Sequence, residues 1–111
     1  MIKKVEIPVF YGTLVLFQDH DIKEAFDIID VEYDGKAFGA FSVIAVDKAG
    51  HQAYVIIFDE CTNSTVAHEA VHTAYRIIEE HELKKDEELI AYLTGWVVTQ
   101  CHKYLNVAKD K

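Results

Sequence analysis

The chain is poor in cysteine, proline and tryptophan, with two, one and one copies among its 111 residues. The two cysteines, Cys61 and Cys101, can form one disulfide at most, which excludes a small fold held together by several disulfides. They are not arranged as a CxxC pair, so a zinc site built from cysteine thiolates is not expected. We therefore interpret both thiols as reduced and the protein as one that folds around an apolar core.

Positive charge is also scarce, because 11 Lys and Arg face 19 Asp and Glu and give a formal net charge of -8. Nucleic acids and anionic membranes are bound mainly through cationic side chains, so neither partner is expected. No run approaches the roughly 18 apolar residues of a membrane span. Charged residues and a proline interrupt residues 1–8, unlike a secretory signal. The sequence predicts a cytoplasmic protein.

Half of the residues are apolar, which is enough for a compact core. The length fits a single domain over residues 1–111. We predict a β hairpin and a short helix in residues 1–36, a second β hairpin in 37–60, and two helices in 61–106. The expected fold class is α+β, with a small, mostly antiparallel sheet packed on the two helices.

The first predicted hairpin has strands over Val5–Phe10 and Thr13–Gln18 around a Tyr-Gly turn. Pro8 cannot donate a ladder hydrogen bond, so the first strand is expected at an edge of the sheet. Asp21 can cap a short helix that reaches about Ile29.

The second predicted hairpin has strands over Phe38–Asp47 and Gln52–Asp59, with turns at 33–36 and 48–51. The run Tyr54–Phe58 is almost continuously apolar. Such a run indicates a strand that is covered on both faces.

The two predicted helices follow a loop rich in capping residues. The first has its N-cap at Ser64 or Thr65 and runs to about Glu80, and the second spans about Asp86–Tyr104. The polar tail, 106–111, is expected to fray.

A helical wheel assigns a face to each position of these helices. The expected buried stripe of the first consists of Ala67, Val71, Ala74 and Ile78. Its expected solvent side carries Thr73, Arg76 and Glu80. A separate stripe of the second helix carries Glu88, Tyr92, Gly95, Thr99 and His102. Gly95 costs about 1 kcal/mol of helix propensity relative to Ala, so we expect another backbone or a site side chain close to it, and Trp96 in the core.

The most informative motif is HExxH, formed by His68, Glu69 and His72 in the middle of the first helix. Residues four apart lie one turn apart on the same helix face, so both imidazoles can reach one metal ion. Zinc accepts imidazole nitrogen and can keep a coordination position open for water. Glu69 would then lie where it can take a proton from that water. The wheel places the two histidines at the margin of the core face, where a cleft is expected.

The β strand, the HExxH helix and a later helix that begins with glutamates resemble the core of the zincin metallopeptidases. The pattern is closest to the gluzincins, whose third zinc ligand is a Glu on the following helix. The segment Glu88–Trp96, ELIAYLTGW, also resembles small phage-encoded zincin-like proteins, and the likeness covers roughly residues 54–98. It implies Zn2+ as cofactor, His68, His72 and Glu88 as ligands and Glu69 as general base. If the chain is phage-encoded, its compartment is the host cytoplasm.

The third ligand is the open question in this interpretation. A metzincin is excluded because Ile78 stands where its pattern needs a third His. His81 lies about 13 Å along the helix from His72, too far to share the ion. In a simple helical hairpin Glu88 would lie beside Glu79, roughly 10 Å from His72, and would reach the metal only if the first helix ended early or the helices crossed steeply. Glu87 is the fallback, with the same difficulty.

The sequence thus predicts a zinc-dependent metallopeptidase in which metal-activated water attacks a peptide carbonyl. Tyr92 or Tyr75 would assist the oxyanion, and an extended peptide would add to the edge of the strand Gln52–Asp59. The second-shell candidates are Asp59, Glu60 and Glu79. The competing hypothesis is a zincin-like binding module that does not catalyse, such as a phage protein that engages a host factor. The chain is short, so a second copy or a protein partner is expected to complete the cleft.

Overall fold

The computed structural model describes residues 1–10, 12–30, 40–46 and 52–110. The elements in these ranges are, in chain order, β1 (Ile2–Glu6), β2 (Thr13–Gln18), α1 (Ile22–Ile28), β3 (Ala40–Val46), β4 (Gln52–Phe58), α2 (Asn63–Glu80) and α3 (Glu87–Tyr104). The α+β class is as predicted. The predicted turns at 33–36 and 48–51 lie outside the described residues.

The sheet has the strand order β1-β2-β4-β3. Both predicted hairpins are present, because β1 pairs with β2 and β3 with β4 in antiparallel fashion. The two hairpins are joined by a parallel pairing of β2 with β4, which the sequence analysis did not foresee. β1 is an edge strand as expected, but it spans Ile2–Glu6 rather than Val5–Phe10, and Pro8 lies beyond its end.

β4 lies inside the sheet between β2 and β3. The residues Tyr54–Phe58 are all buried, which confirms the strand covered on both faces. On one face Tyr54, Ile56 and Phe58 join the core formed with α2 and α3. On the other face Val55 and Ile57 pack in the cluster that contains the α1 residues Ala25 and Phe26.

The buried face of α2 differs from the predicted one. Its buried residues are Val66, Glu69, Ala70, Thr73, Ala74, Ile77 and Ile78. Ala67 and Val71 are exposed, and Thr73, which we expected in solvent, is 2% exposed. The predicted buried face is rotated about the helix axis relative to the observed one. The reason is that two polar residues, Glu69 and Thr73, lie on the buried face, so apolar residues alone do not identify it.

The N-cap of α2 is Thr62 rather than Ser64 or Thr65. Its hydroxyl accepts from the Thr65 amide at 3.3 Å, and the Thr62 amide donates to the Thr65 Oγ1 at 2.9 Å. This reciprocal pair is a capping box in which Thr replaces the usual Glu. Asp86 caps α3 by accepting from the Leu89 amide at 3.1 Å.

The tail is ordered through residue 110, contrary to the prediction that it frays. The Asn63 amide donates to the Ala108 carbonyl at 3.0 Å, and the Ala108 amide donates to the Cys61 carbonyl at 2.9 Å. The Gln18 side chain also bonds the backbone of Asn106 in both directions, at 2.8 and 2.9 Å. The chain end is therefore fixed beside the start of α2. Over the described ranges, no helix is long and apolar enough to cross a membrane.

Candidate functional site

The HExxH motif lies on α2 as predicted, and the helix brings its two histidines together. The Nε2 atoms of His68 and His72 are 3.1 Å apart, and the ring centroids are 4.7 Å apart. Two nitrogen ligands at about 2.0–2.1 Å from a tetrahedral zinc ion are separated by roughly 3.3 Å. The spacing of the two nitrogens therefore fits a shared ion. Without an ion, one ring donates its Nε2–H to the other.

Both histidines lie in solvent rather than at the margin of the core face. They are exposed, and the His68 side chain retains 70% of its accessible surface. The rotation of α2 about its axis explains the difference, because Glu69 and Ala70 lie on the buried face while Val71 is exposed beside the histidines. The rings are accessible to an ion but are not at the bottom of a cleft.

Glu69 occupies the opposite environment, because it is only 6% exposed. Its Oε1 lies 4.0 Å from the His68 Nε2. From the described residues, its carboxylate receives no hydrogen bond. It borders a surface depression of about 350 Å³ that is lined by Ala40, Ser64, Thr65, His68 and Glu69. A carboxylate with free acceptor atoms thus lies beside the His68 ring, and both side chains border a space that can hold small groups.

The structure does not bring a third ligand to the pair. Within the described ranges, no three His, Cys, Asp or Glu side chains are grouped closely enough to hold a metal ion. α2 continues to Glu80, so the early helix end that would bring Glu88 closer does not occur. The Lys85 Nζ lies 3.1 Å from the Glu79 Oε1, so the chain that enters α3 lies beside the end of α2. Glu88, like Glu87, is exposed in the first turn of α3, and its role as a ligand stays a prediction.

The remaining predicted site residues on α3 face solvent. Tyr92 is 57% exposed. Among the described residues, nothing lies within 4 Å of a Cβ built on Gly95, so the predicted close approach to this glycine does not occur within the single chain. Trp96 packs on the core but is only half-buried, which corrects the expectation that it is a core residue.

Arg76 is the residue beside this site that the sequence analysis placed in solvent. It is half-buried, and its guanidinium donates a short hydrogen bond to the buried Ser42 hydroxyl on β3. Arg76 lies four residues after His72, so it follows the two histidines along one helix face. The i, i+4 spacing of His68, His72 and Arg76 in the sequence already indicates that Arg76 shares the helix face of the two histidines. The contact with Ser42 could not be predicted, because it depends on the sheet.

His81 and the two cysteines have structural environments. His81 Nδ1 lies 2.8 Å from the Ile77 carbonyl at the end of α2. Burial raises the pKa of the Cys101 thiol to about 12 and that of Cys61 to about 11. Both cysteines are free, as expected, and remain protonated at neutral pH.

Comparison with known proteins gives no match to a family model, a curated protein or a solved structure. The functional interpretation therefore depends on the geometry of α2 and on the motifs of the sequence.

Proposed function

We propose that the exposed histidine pair of α2 binds zinc and that the protein is a zinc-dependent hydrolase of peptide bonds. The observation that carries the proposal is the 3.1 Å separation of the His68 and His72 Nε2 atoms beside the buried carboxylate of Glu69. A structural role for the pair would leave the HExxH glutamate unexplained, because a buried carboxylate without hydrogen bonds destabilises the fold. A role as the proton acceptor next to the ion would explain why a carboxylate stands at position 69.

The two imidazoles would hold the ion, and Glu88 is the predicted third ligand. To reach the pair, the first turn of α3 would have to shift relative to α2. Zinc would supply Lewis acidity, which acidifies a water and polarises a carbonyl. Glu69 would accept the proton of the attacking water and then deliver it to the leaving amine, so the carboxylate is regenerated in each cycle. Arg76, held by Ser42, joins Tyr92 as a candidate donor to the developing oxyanion.

The strand order of the sheet corrects the expectation that a peptide substrate adds to the edge of β4. β4 is paired on both sides, so it cannot accept a peptide at its edge. β3 is the edge strand on that side of the described sheet, and its first residue, Ala40, lines the same depression as Glu69. We propose that an extended peptide adds to β3 and enters the depression there.

The alternative is a zincin-like binding module without catalysis. The solvent exposure of both histidines favours it, as does the lack of a third ligand near them among the described residues. In that case a protein partner would supply the missing ligand, and the surface around the depression would be its binding face.

Metal binding is tested by titrating chelator-treated protein with zinc in a calorimeter, and with cobalt followed by its visible absorption. We expect one equivalent to bind to the wild type and binding to be lost in His72→Ala. His102→Ala is the matched control, because His102 is also exposed on a helix but lies outside the motif. If the wild type binds no ion, or if both variants behave alike, the metal proposal is wrong.

Catalysis is tested separately with a library of unstructured peptides and the zinc-loaded protein. We expect cleavage by the wild type and a loss of roughly 100-fold or more in Glu69→Gln, because the base would be removed. Glu82→Gln, an exposed glutamate just after α2, is the control. A wild type that binds zinc but cleaves no peptide would favour the binding module.

A further inference from the structure

The outer face of α3 is an exposed stripe that the fold does not use. Ala91, Tyr92, Gly95, Thr99 and His102 are all exposed. Tyr92 is one of the large side chains that the fold leaves in solvent, at 57% exposure. The residues recur at intervals of three and four, so they form one face along a helix of 18 residues, about 27 Å long.

Gly95 lies at the centre of this face, and none of the residues that the structure describes explains it. A Cβ at this position would meet no atom within 4 Å, and the residue has no positive φ. A glycine inside a helix costs about 1 kcal/mol relative to alanine. A glycine on a helix surface permits another helix to approach closely, because the distance between axes depends on the side chains at the contact.

The face is also self-complementary in charge. The first turn of α3 is acidic, with Glu87 and Glu88, and the last turn is basic, with His102 and Lys103. Glu88 and His102 lie seven residues to either side of Gly95. Two antiparallel copies of α3 that cross at Gly95 would therefore place the acidic end of each against the basic end of the other.

Tyr92 and Thr99, which lie between Gly95 and the charged ends of α3, fit the same antiparallel crossing. Tyr92 precedes Gly95 by three residues and Thr99 follows it by four, so each Tyr92 would pack against the Thr99 of the second copy. The Thr99 hydroxyl already donates to the Gly95 carbonyl at 2.9 Å. Its burial would thus leave no unsatisfied hydroxyl hydrogen, and its methyl group would be available for packing.

We propose that this face of α3 is the interface of a symmetric, antiparallel homodimer with Gly95 at its twofold axis. Such an isologous contact uses the same patch on both subunits. One helix on each side buries less than the roughly 1,200 Å² of standard stable interfaces, so the dimer is weak and dissociates on dilution. The dimer needs no bound metal, because neither His68 nor His72 takes part, but it uses Glu88 and Tyr92, so a subunit whose Glu88 binds the proposed ion would lose that residue from the contact.

The test is sedimentation velocity over a wide concentration series in the presence of EDTA, which separates this proposal from metal binding. We expect the wild type to shift from monomer to dimer with concentration. Gly95→Glu would remain monomeric, because it places two like charges at the axis. Glutamate is a better helix former than glycine, so the variant keeps its fold, which far-UV circular dichroism checks.

The register is tested by charge reversal. Lys103→Glu would weaken association because two acidic ends then meet, and the double variant Glu88→Lys/Lys103→Glu would restore it. Lys23→Glu, the same reversal at an exposed position of α1, would associate like the wild type. A monomeric wild type overturns the proposal, as does association that survives Gly95→Glu. Failure of the double variant to restore the dimer overturns the antiparallel register.

Discussion

Glu69 is buried on α2, whereas His68 and His72 of the same motif are exposed. The HExxH spacing correctly predicted that His68 and His72 meet on one helix face, because that depends only on helix geometry. It could not predict that Glu69 is buried and the histidines exposed. Burial depends on how α2 is rotated against the sheet. Because a charged residue lies on the buried face, the pattern of apolar residues in the sequence does not predict that orientation.

The burial of Glu69 leads to a prediction about stability. We expect Glu69→Gln to raise the free energy of unfolding by about 1 kcal/mol, because a charged carboxylate buried without hydrogen-bond donors pays a larger desolvation cost than a neutral amide at the same place. Urea unfolding of the metal-free protein at neutral pH measures it. Glu82→Gln should change stability by less than about 0.5 kcal/mol. A marked loss of stability in Glu69→Gln would mean that the carboxylate has a structural partner in the fold.

At the scale of elements, the described helices and strands were each predicted in type, and most errors are at their ends. The start of α2 is an example. We predicted the cap at Ser64 or Thr65, but Thr62 is an equally suitable capping residue type, and local propensity does not separate the three. The choice of Thr62 is favoured by contacts made elsewhere, because the tail bonds the Asn63 amide through the Ala108 carbonyl and so fixes the chain at that point.

The cap of α2 can be tested with a matched pair of variants. We expect Thr62→Ala to lower the free energy of unfolding by about 1–2 kcal/mol, because it removes the side-chain half of the capping box. Ser64→Ala should cost at most about 0.5 kcal/mol, since Ser64 lies inside the helix, exposed. Urea denaturation of both variants under the same conditions is the measurement. Equal losses in the two variants would contradict the assignment of Thr62 as the cap.

At the scale of the whole molecule, the sheet order could not be deduced from the sequence. Each hairpin was predicted because its strands are neighbours in the chain and are joined by a turn. The parallel pairing of β2 with β4 joins strands that are far apart in sequence, and no local signal specifies it. That pairing decides which strand is inside the sheet. It therefore moved the proposed peptide-binding edge from β4 to β3.

The buried titratable groups of the core predict how the whole fold responds to alkaline pH. Burial raises the pKa of Cys101 and, together with the charge of Glu80, that of Tyr54, each to about 12. The ordinary pKa values of these two groups are 9.0 and 10.0. A group with a raised folded-state pKa stabilises the fold fully below its unfolded-state pKa. That stabilisation is lost as the pH rises through the folded-state pKa.

We therefore expect the free energy of unfolding to fall with rising pH from about pH 9 upward, first through Cys101 and the less buried Cys61 and then, above about pH 10, through Tyr54 as well. Between pH 8 and pH 10 the Cys101 thiol accounts for about 1 kcal/mol of this loss. Urea unfolding at a series of pH values, with reductant present, measures the slope. Cys101→Ala should make the slope shallower between pH 8 and pH 10, leaving the part due to Cys61, even though the variant is less stable overall. Tyr54→Phe should flatten it only at higher pH, so an identical slope in both variants and the wild type would show that these groups do not drive alkaline unfolding.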